Sequence, residues 1–148
     1  MLLEVVLIWE TDKAYIAGIV DGEGCVTIYR RKCKGTRTGL FYTSGIVVVN
    51  THKGVIDFCH QKTGLGTVCV EKKKTRNRPA WRLSLQAKQA LELLEVIEPY
   101  LIVKKSQAEV LRRFVAAKTK RNWLSDEEWQ RREDLYLEMR KLNERKAA

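Results

Sequence analysis

Apolar and polar positions alternate along this chain with two periods, in blocks that follow one another regularly. From Thr11 to about Asp21 the apolar residues recur at helical spacing, with Thr11-Asp12-Lys13 placed to cap the start. Residues 25–33 then alternate with period two: Val26 and Ile28 face one way, Thr27, Tyr29 and Arg31 the other. A turn rich in Gly and Thr at 34–39 leads into a second β-rich stretch over 41–49, so the two form a hairpin. Residues 52–62 read as a short helix with Val55, Ile56 and Cys59 on one face and Thr63-Gly64 ending it. A second hairpin pairs 67–73 with 81–85. A helix over 86–97 follows, carrying Ala87, Ala90, Leu91, Leu94 and Ile97 at helical spacing, and Pro99 ends it. Two further helices are predicted. One runs from 106 to about 118 with Ala108, Leu111 and Val115 inward. The last opens on the capping box Ser125-Asp126-Glu127-Glu128 and carries Leu135, Tyr136, Met139 and Leu142 as its apolar stripe.

Helix, hairpin, helix, hairpin, helix is the order of an α+β layer: an antiparallel sheet with helices on one face and the other face open. That open face would collect Tyr29, Arg31 and the basic hairpin residues. At 148 residues a single domain is expected over the whole chain. It divides into a first helix and acidic turn (12–24), two hairpins with their helices (25–105) and C-terminal helices (106–146).

Charge narrows the class of partner. The formal net charge is +10, and the excess is concentrated in two segments. Residues 30–37 hold Arg30, Arg31, Lys32, Lys34 and Arg37 with no acid, and residues 71–82 hold Lys72, Lys73, Lys74, Arg76, Arg78 and Arg82 against Glu71 alone. Basic blocks on paired strands fit a polyanion, and nucleic acid fits better than membrane because neither block is an amphipathic helix. No apolar run approaches the ~20 residues of a membrane span. Residues 1–8 are apolar but interrupted by Glu4, without a basic start or a small-residue cleavage site, so an intracellular, non-secreted protein is expected. Cys25, Cys33, Cys59 and Cys69 form no C-x-x-C, and reduced thiols serving as core or strand residues are expected.

The most informative stretch is Ile16-Ala17-Gly18-Ile19-Val20-Asp21-Gly22-Glu23-Gly24. Ala14, Ala17, Gly18 and Asp21 fall on one helical face, where small side chains let a second helix approach. Gly22 or Gly24 ends the helix and leaves the Glu23 carboxylate at the foot of that contact. Position by position this nonapeptide resembles the signature of the LAGLIDADG homing endonucleases. Ile16 stands for the first Leu, Ile19-Val20 for Leu-Ile, Asp21 for the first Asp, Gly22 for Ala and Glu23 for the second Asp. The resemblance extends over roughly residues 12–145. It takes in Val48-Val49-Asn50-Thr51-His52-Lys53, Gly64-Leu65-Gly66-Thr67-Val68 and Glu98-Pro99-Tyr100-Leu101, continuing through Lys104-Lys105 to Gln107-Ala108.

The resemblance implies the family's αββαββα half-saddle with extra C-terminal helices, its sheet lying along DNA. One signature segment implies a homodimer formed through the first helix, with Ala14, Ala17, Gly18 and Asp21 at the interface and Asp21 bonding backbone groups of the partner helix. It implies a metal-dependent endonuclease that cuts a long pseudo-palindromic duplex site across the minor groove, encoded in an intron or similar mobile element. Glu23 would be the metal-binding carboxylate and the Gly22 carbonyl a second ligand. Hard oxygen ligands suit Mg²⁺, and Mn²⁺ or Ca²⁺ can occupy such sites. Lys104, with Lys105 as its neighbour in register, would carry the active-site charge. Asn50 would position water and Lys53 would make a second basic contact; His52 at a helix start reads as structural. Duplex binding is assigned to Thr27, Tyr29, Arg31, Arg37, Lys72, Lys74, Arg76, Arg78 and Arg82. Two other functions use the same scaffold: a maturase that binds intron RNA, and a regulator that binds DNA without cutting it. A structural or protein-interaction domain is the reading from another class.

Overall fold

A computed structural model describes residues 8–71, 78–116 and 125–144. The chain runs α1 (Glu10–Glu23), β1 (Gly24–Lys32), β2 (Leu40–Asn50), α2 (Lys53–Thr63), β3 (Thr67–Glu71), β4 (Ala80–Gln86) and α3 (Ala87–Ile97). A 3-10 turn (Glu98–Tyr100), α4 (Lys105–Ala116) and α5 (Asp126–Asn143) complete it. The order is the predicted one, and the α+β class holds. Among the described residues the sheet has four antiparallel strands in the order β1-β2-β4-β3, so the two hairpins meet through β2 and β4.

Strand alternation divides the sheet into two faces. Val26, Ile28, Ile46, Val48, Leu83 and Leu85 point to one side and are buried. They pack with Ile16 and Val20 of α1, Ile56 and Cys59 of α2, Leu94 and Ile97 of α3, and Ala108 and Leu111 of α4 in one continuous apolar cluster. Each helix reaches this cluster by the spacing read from the sequence. In α3 Leu93 joins the buried set, whereas Ala87, at the first helical position, is exposed.

Three helix ends differ from expectation. α1 begins at Glu10, with Trp9 at the N-cap and no side-chain cap, so Thr11 lies inside the helix. At its other end no turn separates α1 from β1. Gly24 is extended (φ −78°, ψ 153°), so it is not a left-handed stop. A Cβ at Gly24 would lie 2.6 Å from the Val20 carbonyl oxygen and 2.9 Å from its Cα, so glycine is required there by close backbone approach. Gly64, by contrast, ends α2 in the left-handed region (φ 65°) with its N–H on the His60 carbonyl. In α5 the Ser125 side chain accepts from the Glu128 N–H at 3.1 Å, half of the predicted capping box. The Glu128 carboxylate instead engages Arg131 and Arg132.

α5 closes the outer edge of β1, where an uncovered strand would present unpaired backbone groups. The Asn143 amide donates to the Val26 carbonyl at 3.0 Å. Glu133 accepts from both Tyr42 of β2 and Arg30 of β1, and the Arg30 guanidinium lies 4.5 Å from the Tyr136 ring centre. Leu135 and Met139 are buried as predicted, whereas Leu142 remains partly exposed.

The four thiols are all free. Burial pushes Cys59 up to about 11, while Cys25 and Cys69 are exposed. Brief treatment of the native protein with iodoacetamide is therefore expected to alkylate Cys25 and Cys69 before Cys59. Peptide mass spectrometry over a time course checks the order.

Candidate nucleic-acid interface

The foot of α1 assembles the acidic residues. Asp21 gathers three successive backbone N–H groups of the segment entering α4: Ile102 at 2.8 Å, Val103 at 3.1 Å and Lys104 at 3.0 Å. These are bonds within the chain, whereas the expectation for Asp21 was a bond to backbone groups of a partner helix. The cause is the Pro99 turn. It ends α3 and drops the buried Leu101 against the core, which brings the following N–H groups under the end of α1. Lys104 is thereby pinned two residues along α1 from Glu23, whereas Lys105 is the exposed first residue of α4.

Glu23, the last residue of α1, is exposed, and its carboxylate accepts from the Asn50 side-chain amide at the end of β2. The Asn50 side-chain oxygen accepts from the His52 backbone N–H at 2.7 Å, which settles which end of the amide faces Glu23. Asn50 therefore acts on the carboxylate itself. Lys53 stands three residues on and pairs with Asp57 at 3.2 Å on the outer face of α2. His52 occupies the N-cap of α2 without capping it, and its ring lies against Gly54.

Glu23 and the Gly22 carbonyl, in the last turn of α1, are hard oxygen donors of the kind Mg²⁺ takes. Among the described residues no three His, Cys, Asp or Glu side chains converge. The donor set therefore fits a divalent ion only if water, phosphate or a second copy completes the shell, as Mg²⁺ sites commonly allow.

Along α1 the small residues do not all face outward. Ala14, Gly18 and Gly22 are exposed, and a Cβ at Gly18 or Gly22 would meet nothing within 4 Å. Ala17, expected at an interface, is instead fully buried in its own core, because it lies beside Ile16 on the side facing the sheet. The outward face is flanked by exposed apolar groups: Trp9 (74% exposed), Ile102 (83%) and Val103 (65%).

The sheet face opposite the helices holds Cys25, Thr27, Tyr29 and Arg31 on β1, with Phe41, Thr43, Gly45, Val47 and Val49 opposite them or adjacent on β2. Arg82, Ser84 and Gln86 of β4 and Thr67, Cys69 and Glu71 of β3 extend it. Thr27, Tyr29, Arg31 and Arg82 thus share one surface, which begins beside Glu23. The Arg31 guanidinium lies 5.7 Å from the Tyr29 ring centre, and partial burial raises the Tyr29 hydroxyl above its ordinary value. Arg82 pairs with Glu71 at 3.5 Å. Arg37 lies in the β1–β2 turn, tied to Asp126 at the start of α5, and Arg78 is exposed just before β4. Lys72, Lys74 and Arg76 lie outside the described residues. Sequence periodicity did not single out the neutral members of this face, such as Phe41, Val47 and Gln86. Only strand register places them there.

No family model and no curated protein matches the chain. Solved structures do. The homing endonuclease I-CvuI, in complex with the I-CreI target, superposes with a TM-score of 0.78 at 20% identity, over 94% of this chain and 86% of that one. The archaeal intron-encoded homing endonuclease I-Vdi141I, complexed with DNA, gives 0.78 at 17% identity over 93% and 87%. The I-SmaMI LAGLIDADG homing endonuclease, bound to cleaved DNA, gives 0.65 at 16% identity, covering 92% of this chain and 51% of that one. The helix ending in Glu23, the open four-stranded sheet and the helices behind it are together the fold of the LAGLIDADG homing endonucleases.

Proposed function

We propose that this protein is a homodimeric, metal-dependent endonuclease that cuts both strands of a long pseudo-palindromic DNA site. The observation that carries the reading is the position of Glu23. An exposed carboxylate, held by Asn50, stands where an outward-facing stripe of small residues on α1 meets an uncovered sheet face. Fold neighbours bound to DNA support a duplex partner. The basic excess of the chain supports it independently.

In this reading Glu23 and the Gly22 carbonyl of each copy hold a divalent cation, Mg²⁺ first, with Mn²⁺ or Ca²⁺ able to take its place. The bound ion would lower the pKa of water and stabilise charge on the phosphate oxygens. The protein supplies the rest. Asn50 fixes the Glu23 carboxylate, so its orientation costs no reorganisation when the phosphate arrives. Asp21 holds the Lys104 backbone close to the same helix end, and the Lys104 ammonium stabilises the added negative charge of the transition state. Lys53 contributes a more distant basic contact. Two Glu23 carboxylates brought together would repel, which makes a bound cation part of the assembled site.

Dimerisation through the outward α1 face, with Ala14, Gly18 and Gly22 rather than Ala17 in contact, is supported by the exposure of those three residues and the open space at Gly18 and Gly22. Gly18→Leu would fill that space from a Cβ that meets nothing within 4 Å in its own chain. It is expected to weaken dimerisation by tenfold or more with little change in thermal stability. Light scattering across a concentration series checks it, and an unchanged dimer mass would argue against α1 as the interface.

A cleavage selection on a randomised duplex library, with Mg²⁺ and with EDTA, tests the reading as a whole. A pseudo-palindromic consensus cut only with Mg²⁺ is the expected result. Retention of uncut duplex would assign a regulator, and retention of intron RNA a maturase.

A further inference from the structure

Among the described residues, the two arginines of the open sheet face differ in their surroundings, and the difference bears on what each can recognise. Arg31 stacks on Tyr29 and is exposed. Arg82 stands on β4 between Val49 of β2 and Cys69 of β3, with Glu71 of β3 at 3.5 Å from its guanidinium. The Arg82 side chain is 41% exposed and that of Glu71 14%, so the pair presents mainly its guanidinium.

A guanidinium without a counter-charge on a duplex-facing sheet serves any phosphate. One that is already neutralised by a carboxylate gains much less from a phosphate, because its charge is compensated before binding. It keeps donors that the carboxylate does not use, in a fixed planar fork. In the major groove guanine presents two adjacent acceptors, O6 and N7, and an arginine fork matches them. The cross-strand register partners of Arg82 are a valine and a thiol, which bring no second cation beside it.

Resting on the nuclease reading, the geometry points to Arg82 as a base-reading residue specific for guanine, at one fixed position in each half-site, with Glu71 as the positioning residue that withholds it from phosphate. Arg31 is the contrasting case: stacked on an aromatic ring and carrying full charge, it serves affinity.

The test is a binding selection on a randomised duplex library in Ca²⁺, comparing wild type with Arg82→Ala, Arg82→Lys and Glu71→Gln, each checked for folding by circular dichroism. Arg82→Lys keeps the charge and removes the fork, so it stays informative where Arg82→Ala is perturbed. Wild type is expected to select guanine at one position per half-site. Both Arg82 variants should lose that preference by about tenfold or more while other positions keep theirs. Glu71→Gln should relax the same position, raise affinity for non-cognate duplex and steepen the logarithmic salt dependence by about one. Uniform weakening on all sequences by the Arg82 variants would make Arg82 a phosphate contact and overturn the assignment. An unchanged consensus with unchanged affinity would leave only a cross-strand ion pair and overturn it equally. A wild type that retains no duplex at all would remove the nuclease reading, and this assignment with it.

Discussion

Glu23→Gln is expected to abolish strand cleavage while leaving duplex binding and fold intact. The substitution is isosteric, and its carboxamide oxygen can still accept from Asn50. What it removes is the formal charge that would hold a divalent cation in the proposed site. Metal stabilisation of a phosphoryl transition state is worth several kcal/mol, and each 1.36 kcal/mol is a factor of ten in rate, so a loss of about three orders of magnitude or more follows. The measurement is single-turnover cleavage of a selected site with saturating Mg²⁺, alongside a gel-shift titration in Ca²⁺. Equal cutting by the variant would remove Glu23 from the metal site. Loss of binding together with cutting would instead mark Glu23 as part of the recognition surface.

Gly24→Ala is expected to be strongly destabilising. Its added methyl would meet the Val20 carbonyl oxygen at 2.6 Å and the Val20 Cα at 2.9 Å. Both are backbone atoms of α1, so no side chain can rotate away, and relief requires the last turn of the helix to open. Overpacking of this kind costs about 1–3 kcal/mol, and the absence of a flexible neighbour places this case at the upper end. Because Glu23 is the preceding residue, the same distortion would move the carboxylate away from Asn50. Urea denaturation should show a lowered midpoint, and cleavage should fall further than the folded fraction alone accounts for. A Gly24→Ala protein as stable and as active as wild type would mean that the helix–strand junction is looser than the described geometry.

The element order was legible because each segment carries one clear period, and the helices bury most of the residues that their spacing selects, Ala87 and Leu142 being exceptions. Three features were not. The Asp21 carboxylate turns inward to its own α4 entrance, a contact between residues 81 to 83 positions apart in the chain that no local pattern encodes. Ala17 is small like Gly18 and adjacent to it, yet it belongs to the core, because a rotation of about 100° per residue separates the two directions. The Glu71–Arg82 pair depends on β3–β4 register, which the hairpin sequence does not determine once its connecting segment is long. Net charge, in turn, located the basic segments but not their engagement: Arg37 and Arg30 are held by acids of α5, Asp126 and Glu133.

In the proposed dimer, the direct passage of α1 into β1 would make the molecule a measuring device. With no turn residue between Glu23 and the first residue of β1, the strand that would face the duplex continues directly from the helix through which two copies would meet. The distance and rotation between the two reading surfaces then follow from one helix–helix contact, with no compliant joint to absorb an error. One base pair added between half-sites displaces them by about 3.4 Å and turns them by about 35° on the duplex axis. A dimer so constructed counts the spacer as strictly as it reads the sequence on either side.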